Sequence, residues 1–186
     1  MKDVINGYNK VIDKDKVVAS FILSSQEVFD FVDHNLGVMM MDVGYTNETY
    51  IISCNSKVAS VNTTTQIDLT GQVLPDCSRI LSCTGGQLGF VRGVFLSKGG
   101  ISIIAVTSRT KNGKSKIVPA LNMASGMVTP RSAIQWVVTD YGAVKLMGKS
   151  FEERARLLTS IAHPDDREML EHAAFERYER HYSLIK

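Results

Sequence analysis

The order of apolar and polar positions divides the chain into an extended-type first part and a helical last part. Val17–Leu23 (VVASFIL) is an apolar, β-branched run directly after the charged stretch 13–16, which predicts a buried strand. Ser24-Ser25-Gln26-Glu27 has the composition of a helix cap and is followed by Val28, Phe29, Phe31 and Val32. Val38–Val43, Tyr50–Ser53 and Lys57–Val61 predict further short strands, punctuated by Gly44, Asn47 and Asn55. Ile101–Val106 (ISIIAV), entered through Gly99-Gly100, is the clearest buried strand, and Ile134–Thr139 (IQWVVT) is another.

From Ser150 the period changes. Ser150-Phe-Glu-Glu153 is a capping box, in which the serine oxygen accepts from the Glu153 amide and the glutamate reaches back. Leu157, Leu158 and Ile161 share one face of the helix it opens. Pro164 starts a second helix, with Asp165, Asp166 and Glu168 near its positive dipole end and Met169, Leu170, Ala173 and Ala174 as its buried stripe. Strands and short helices closed by a helical pair predict an α/β domain of three layers. Residues 1–16 read as a polar lead-in and 17–186 as the domain, with no internal repeat or low-complexity tract.

Composition narrows the class without naming a reaction. The 186 residues are 44% apolar and 22% charged with four prolines, which argues for one domain or two small ones and against disorder. No apolar run reaches the ~18 residues of a membrane span, and the opening MKDVINGYNK is polar, so neither a membrane nor a secretory signal is expected. Cys54, Cys77 and Cys83 lack paired spacing, which points to reduced thiols and a cytoplasmic location.

The net charge of +2 hides a sorted distribution. Residues 1–90 carry six lysines and arginines against ten carboxylates, and residues 150–186 carry six against eight. Residues 91–149 carry nine against Asp140 alone. Such a stretch is either a solvated basic face or an attractor of phosphates. Aromatic residues do not interleave its lysines as base-stacking platforms would require, so nucleic acid is not the expected partner.

The densest chemical signal is Ser82-Cys83-Thr84-Gly85-Gly86-Gln87-Leu88-Gly89-Phe90, whose glycines let backbone amides approach a ligand closely. It is neither a dinucleotide fingerprint nor a Walker loop, and taken alone a glycine-rich turn is more often only a tight turn. Lys98 lies before the strand Ile101–Val106, and Arg109, Lys111, Lys114 and Lys116 follow it, at the strand end where open α/β sheets bind ligands. His163 reads as closing a helix junction, and His172 and His181 lie on a charged helix. No histidine pair has metal-ligand spacing, so no metal is expected.

Several strings taken in order resemble one family. These are Phe29-Asp30-Phe31-Val32-Asp33, Ile67-Asp68-Leu69-Thr70-Gly71-Gln72-Val73, Thr84-Gly85-Gly86-Gln87-Leu88-Gly89-Phe90-Val91-Arg92-Gly93, Ser97-Lys98-Gly99-Gly100, Val137-Val138-Thr139-Asp140-Tyr141-Gly142 and Ile161-Ala162-His163-Pro164. Together they are similar to the C-terminal domain of the acetyl-CoA hydrolase/transferase family, which includes 4-hydroxybutyrate and butyrate:acetate CoA-transferases. The resemblance implies the three-layer α/β CoA-transferase (NagB/RPIA-like) fold, here with a C-terminal helical pair. It also implies coenzyme A as substrate, short-chain carboxylates as acyl carriers, and a catalytic glutamate that passes CoA through a glutamyl-CoA thioester. Gly85, Gly86 and Gln87 would face the acyl or pantetheine part, with Thr65 in the Thr63-Thr64-Thr65 turn beside them. Lys98, Arg109, Lys111, Lys114 and Lys116 would face the 3′-phospho-ADP end.

The departures matter as much. In relatives the catalytic glutamate lies in a stretch upstream of residue 1, and none of the eight glutamates here fits that position. Gly89 stands where relatives have aspartate, Cys83 where an extra glycine is common, and Asp140 replaces a glutamate. The chain is therefore expected to be a fragment of a two-domain enzyme, a partner-dependent subunit, or a diverged non-catalytic module that binds CoA or protein. Alone, it should associate with an N-terminal-half partner or with itself through a face including Phe90, Val94, Phe95 and Met39-Met40-Met41.

Overall fold

A computed structural model describes residues 5–74, 86–121 and 129–179. In chain order its elements are Val17–Ala19 (β1), Gln26–Val32 (α1), Val38–Met40 (β2), Val43–Thr46 (α2), Thr49–Cys54 (α3), Ala59–Thr63 (β3), Gln66–Asp68 (β4), Val73–Leu74 (β5) and Gln87–Leu96 (α4). Then follow Ile101–Ala105 (β6), Ile117–Val118 (β7), a 3-10 turn Arg131–Ala133, Trp136–Thr139 (β8), Gly142–Lys145 (β9), Phe151–Ser160 (α5) and Pro164–Ala174 (α6), which a π-helical turn, Phe175–Glu179, extends.

The central sheet runs β3-β6-β8-β9, with β3, β6 and β8 parallel and β9 returning antiparallel. A second sheet, β5-β4-β7, packs into the same core, and β1 with β2 forms a separate parallel pair. Burial alternates along the strands as the pleat demands. Ser60, Ser102, Ile104, Val137 and Val144 face inward, and α4 packs over β3 and β6 on that side. Val61 and Ile101 on the opposite face are exposed, and Ile103, Trp136 and Val138 beside them are only half-buried. Ile67, Leu69, Ile117, Leu146, Leu158, Ala162 and Leu170 complete a core that joins both sheets to α5 and α6.

The α/β architecture and the C-terminal helical pair agree with the sequence. The Ser150 capping box forms, Pro164 sits in the first turn of α6, and the His163 side chain accepts from the Asp165 amide at its N-cap. Leu158 and Ile161 are buried, but Met169 is 46% exposed and leaves the stripe to Leu170. Tyr50–Ser53 is helical rather than extended. Glu48 caps the amide of Tyr50, and Asp42 caps Tyr45, which also cuts the Val38–Val43 strand at Met40. These caps outweigh the β preference of short apolar runs. The strand at Val17 stops at Ala19, leaving Phe21 and Leu23 exposed. Val94 is wholly buried on α4, so it does not belong to an exposed face, whereas Phe95 and Met40 do.

Candidate functional site at the carboxyl edge of the sheet

The parallel strands β3, β6 and β8 end together at Thr63, Ala105 and Thr139. Because α4 runs back against them, its N-terminus at Gly86 arrives at the same edge. Gly86 caps a ten-residue helix whose dipole presents partial positive charge there. Gly85 and the rest of residues 75–85, including Cys77 and Cys83, lie outside the described residues.

Gln87, the first residue of α4, is committed to the scaffold. Its Nε2 donates to the Thr63 carbonyl at 3.1 Å, and its Oε1 accepts from Thr129 Oγ1 at 3.0 Å. Thr65 stands in the adjoining turn, where its amide donates to the Leu74 carbonyl. Asn47 is the side chain that sequence reasoning missed. A methyl group placed on Gly86 would lie 2.8 Å from Asn47 Nδ2, and one on Gly89 would lie 2.3 Å from the Asn47 carbonyl. The corner between α2 and α3 thus seats a side-chain amide directly against the N-terminus of α4. In the sequence Asn47 reads as turn punctuation, because only the packing of α3 on α4 brings it to Gly86. The same packing accounts for Gly89, since any side chain there would displace the Asn47 backbone.

The basic candidates separate into three environments. Lys98 lies between the end of α4 and the start of β6, at the opposite end of the sheet from Gly86, and is exposed. Residues 109–115 fold into a small hairpin beyond the carboxyl end of β6, closed by an Arg109–Ser115 bridge. Lys111 and Lys114 project from it, exposed, with Lys116 half-buried at its base. Arg109 is engaged elsewhere: its Nε and Nη2 donate to Asp166 at 2.8 Å each, and its Nη1 reaches Asp165 at 3.0 Å. This fork raises the guanidinium pKa and holds Asp166 below the usual carboxylate range. Arg109 therefore ties the hairpin to α6 rather than standing free for a phosphate.

Beside it, Asp140 accepts from the Ser108 amide and hydroxyl, both at 2.7 Å, which lowers its pKa. Tyr141 meets His163 edge-on at 5.3 Å between centroids, and Thr139 Oγ1 donates to the Ile161 carbonyl at 2.7 Å. The Thr139-Asp140-Tyr141 and Ala162-His163-Pro164 strings are thus neighbours that lock β8 to α6. The Asp68–Val73 string is likewise structural. Asp68 Oδ1 accepts from the amides of Thr70 and Gln72 and from Thr70 Oγ1, and Gly71 takes φ +84°. Gln72 then clamps the Thr129 carbonyl at 2.7 Å and accepts from the Arg131 amide at 3.1 Å. Among the described residues no cluster of three or more His, Cys, Asp or Glu could hold a metal, and no helix is long and apolar enough to cross a membrane.

Residues 24–174 match the model of the acetyl-CoA hydrolase/transferase C-terminal domain. A succinyl-CoA:acetate/propanoyl-CoA:succinate CoA transferase of Fasciola hepatica is 46% identical over 94% of this chain and 37% of its own. A 4-hydroxybutyrate coenzyme A transferase of Clostridium kluyveri is 40% identical over 90% of this chain and 40% of its own. The crystal structure of a 4-hydroxybutyrate CoA-transferase from Porphyromonas gingivalis superposes with a TM-score of 0.82 at 39% identity, over 94% of this chain and 41% of that one. The chain therefore spans about two fifths of the length of the relatives it matches. With fold, motif order and sequence in agreement, this chain belongs to the acetyl-CoA hydrolase/transferase family, as its C-terminal domain.

Proposed function

We propose that this chain supplies the CoA-facing C-terminal part of a CoA-transferase acting between short-chain carboxylic acids, with the nucleophilic glutamate supplied by polypeptide outside this sequence. The observation that carries the second half is the position of the glutamates. Glu27, Glu152, Glu168, Glu171 and Glu176 are exposed helix residues, Glu48 caps α3, and Glu153 is spent in the α5 capping box. None of these lies in a site that would desolvate and orient a carboxylate for attack.

In the complete reaction the external glutamate carboxylate attacks the acyl-CoA carbonyl, expels the CoA thiolate and forms an acyl-glutamyl anhydride. The thiolate attacks the glutamyl carbonyl of that anhydride and releases the first carboxylate, leaving glutamyl-CoA. An incoming carboxylate reverses both steps. This chain contributes polarisation of the carbonyl oxygen by the α4 N-terminus at Gly86, with the Asn47 amide beside it. A preorganised donor of this kind is commonly worth ~3 kcal/mol in the transition state. Thr65 lines the adjoining turn, and Gln87 positions the helix start instead of touching substrate. Lys111, Lys114 and Lys116 offer positive charge to the 3′-phospho-ADP end, while Arg109 holds the hairpin in place.

The chain alone should convert no acetyl-CoA and butyrate to butyryl-CoA, while binding CoA with Kd on the order of 0.1–1 mM. Titration of CoA against dephospho-CoA at two salt concentrations tests this. Preference for CoA that weakens with salt supports the reading, since exposed charges are screened within ~8 Å at physiological ionic strength. Turnover by the chain alone would place the nucleophile within it, and millimolar CoA without binding would favour a diverged interaction module.

A further inference from the structure

We infer that Val17–Leu23 is an interior strand of a parallel sheet whose next strand comes from the part of a family chain that this sequence does not represent. The inference rests on the family reading above, and it names the docking surface.

The run VVASFIL is apolar at every position but Ser20, the near-continuous pattern of a parallel strand covered on both faces. Yet β1 extends only over Val17–Ala19, Phe21 is 76% exposed and Leu23 is 92% exposed. No residue from 5 to 51 is buried. The β1–α1–β2 unit has a parallel ladder and a crossover helix but no core of its own, and an isolated strand pair is marginal in water. The ladder identifies the open edge. The Val17 amide donates to the Gly37 carbonyl and the Met41 amide to the Ala19 carbonyl, so residues 17 and 19 face β2. Val18 therefore directs its own N–H and C=O away from β2, to the side where a further strand would lie.

The occupant follows from length and direction. Roughly three fifths of each relative's chain lies outside the matched region. A second copy pairing through β1 about a two-fold axis would run antiparallel, which is not the environment that a near-continuous apolar run encodes. A strand from the remaining family polypeptide, laid beside Val18 with its layer over Phe21 and Leu23, satisfies both the open edge and the exposed side chains.

The experiment co-expresses this chain, affinity-tagged, with the N-terminal three fifths of the Clostridium kluyveri enzyme, and follows amide hydrogen exchange in the free and captured chain. In the free chain, amides 18–23 should exchange about 100-fold faster than those of Ile103–Ala105 and independently of protein concentration. Capture should slow amides 18–23 at least about 10-fold. Val18→Pro removes the outward N–H while leaving the Val17 and Met41 donors of the β1–β2 ladder in place, and Phe21→Asp with Leu23→Asp charges the exposed face. Either change should reduce capture about 10-fold, whereas Phe175→Asp, at an exposed position of the π-helical turn after α6, should not. Slow exchange at 18–23 in the dilute free chain, protection that grows with its own concentration, no capture, or capture indifferent to these variants would each overturn the inference. A captured complex with protected amides but no CoA transfer would instead refute the transferase reading and leave the docking surface standing.

Discussion

Arg154 offers the sharpest test of how this domain is held together. It is 6% exposed, and among the described residues no carboxylate lies within ion-pair distance of it. Its Nε donates to the Lys149 carbonyl at 3.2 Å, and its Nη1 donates to the carbonyls of Thr70 at 3.1 Å and Arg131 at 2.8 Å. One side chain thereby ties the Asp68–Val73 loop, the segment entering β8 and the start of α5. Burial and the neighbouring Arg131 charge lower its pKa, yet a guanidinium remains protonated in any accessible range.

Arg154→Met keeps the length of the stem and removes the donors. Thr70 is 2% exposed, so its carbonyl has little recourse to water and would cost about 1–3 kcal/mol unpaired. Arg131 and Lys149 are exposed residues whose carbonyls can recruit solvent, at about 1 kcal/mol each. Relief from burying a cation offsets part of this. The net expectation is a loss of about 2–4 kcal/mol, or a fall in Tm of roughly 5–15 °C for a chain of this size. Urea unfolding should show a lower midpoint at unchanged slope. Arg154→Lys, able to reach at most some of the three carbonyls, should fall between. Combining Arg154→Met with Gln72→Leu should be non-additive by more than about 0.5 kcal/mol, because both side chains fasten the 129–131 segment. A Tm within about 2 °C of the parent, or strict additivity, would show that the three segments are held by packing alone.

Three further outcomes are expected. Gly89→Ala should destabilise by about 1–3 kcal/mol in spite of a gain of about 1 kcal/mol in helix propensity, because its methyl meets the Asn47 carbonyl at 2.3 Å. Gly86→Ala meets only the swingable Asn47 amide and should cost less than about 1 kcal/mol; equal losses in urea would refute this account of the α3–α4 contact. Acid should also destabilise: the Ser108 amide and hydroxyl depress the pKa of Asp140, and Arg109 depresses that of Asp166. The unfolded chain then binds more protons, so this stability is complete above about pH 4 and is lost as pH falls through the folded values. A urea midpoint that stays flat from pH 6 to 2.5, or that is equally acid-sensitive in Asp166→Asn, would exclude the mechanism. Finally, Lys111→Glu with Lys114→Glu should weaken CoA binding several-fold and flatten its salt dependence, while Lys98→Glu, at the other end of the sheet, should leave both unchanged by calorimetry.

The parts of this fold that were legible in the sequence are those whose determinants are local. Ser150 and Glu153 are three residues apart and cap one another, Pro164 and His163 start α6 together, and Ile101–Val106 needs only its own apolar run to predict burial. Tyr50–Ser53 is not legible as helix because its helix is decided by the cap at Glu48, which lies outside the apolar window, just as the cap at Asp42 decides α2. The site was less legible for a related reason. Asp68, Gln72 and Gln87 stand in the strings that identify the family, and such polar residues invite assignment to a ligand. The structure gives them to the protein instead. Gln72 bonds residues 57 and 59 positions away, and Gln87 bonds residues 24 and 42 positions away. No local pattern encodes such partners. Specific strings can therefore fix the family while leaving the roles of their residues open, because a half-buried glutamine finds partners in the protein whether or not a substrate is near. The side chain with the best claim to act beside Gly86, Asn47, stands outside the strings on which the resemblance was built. It reaches Gly86 only because Gly89 and Gly93 let α3 approach α4 closely. In this domain Gly86, Gly89 and Gly93 first of all admit a neighbour.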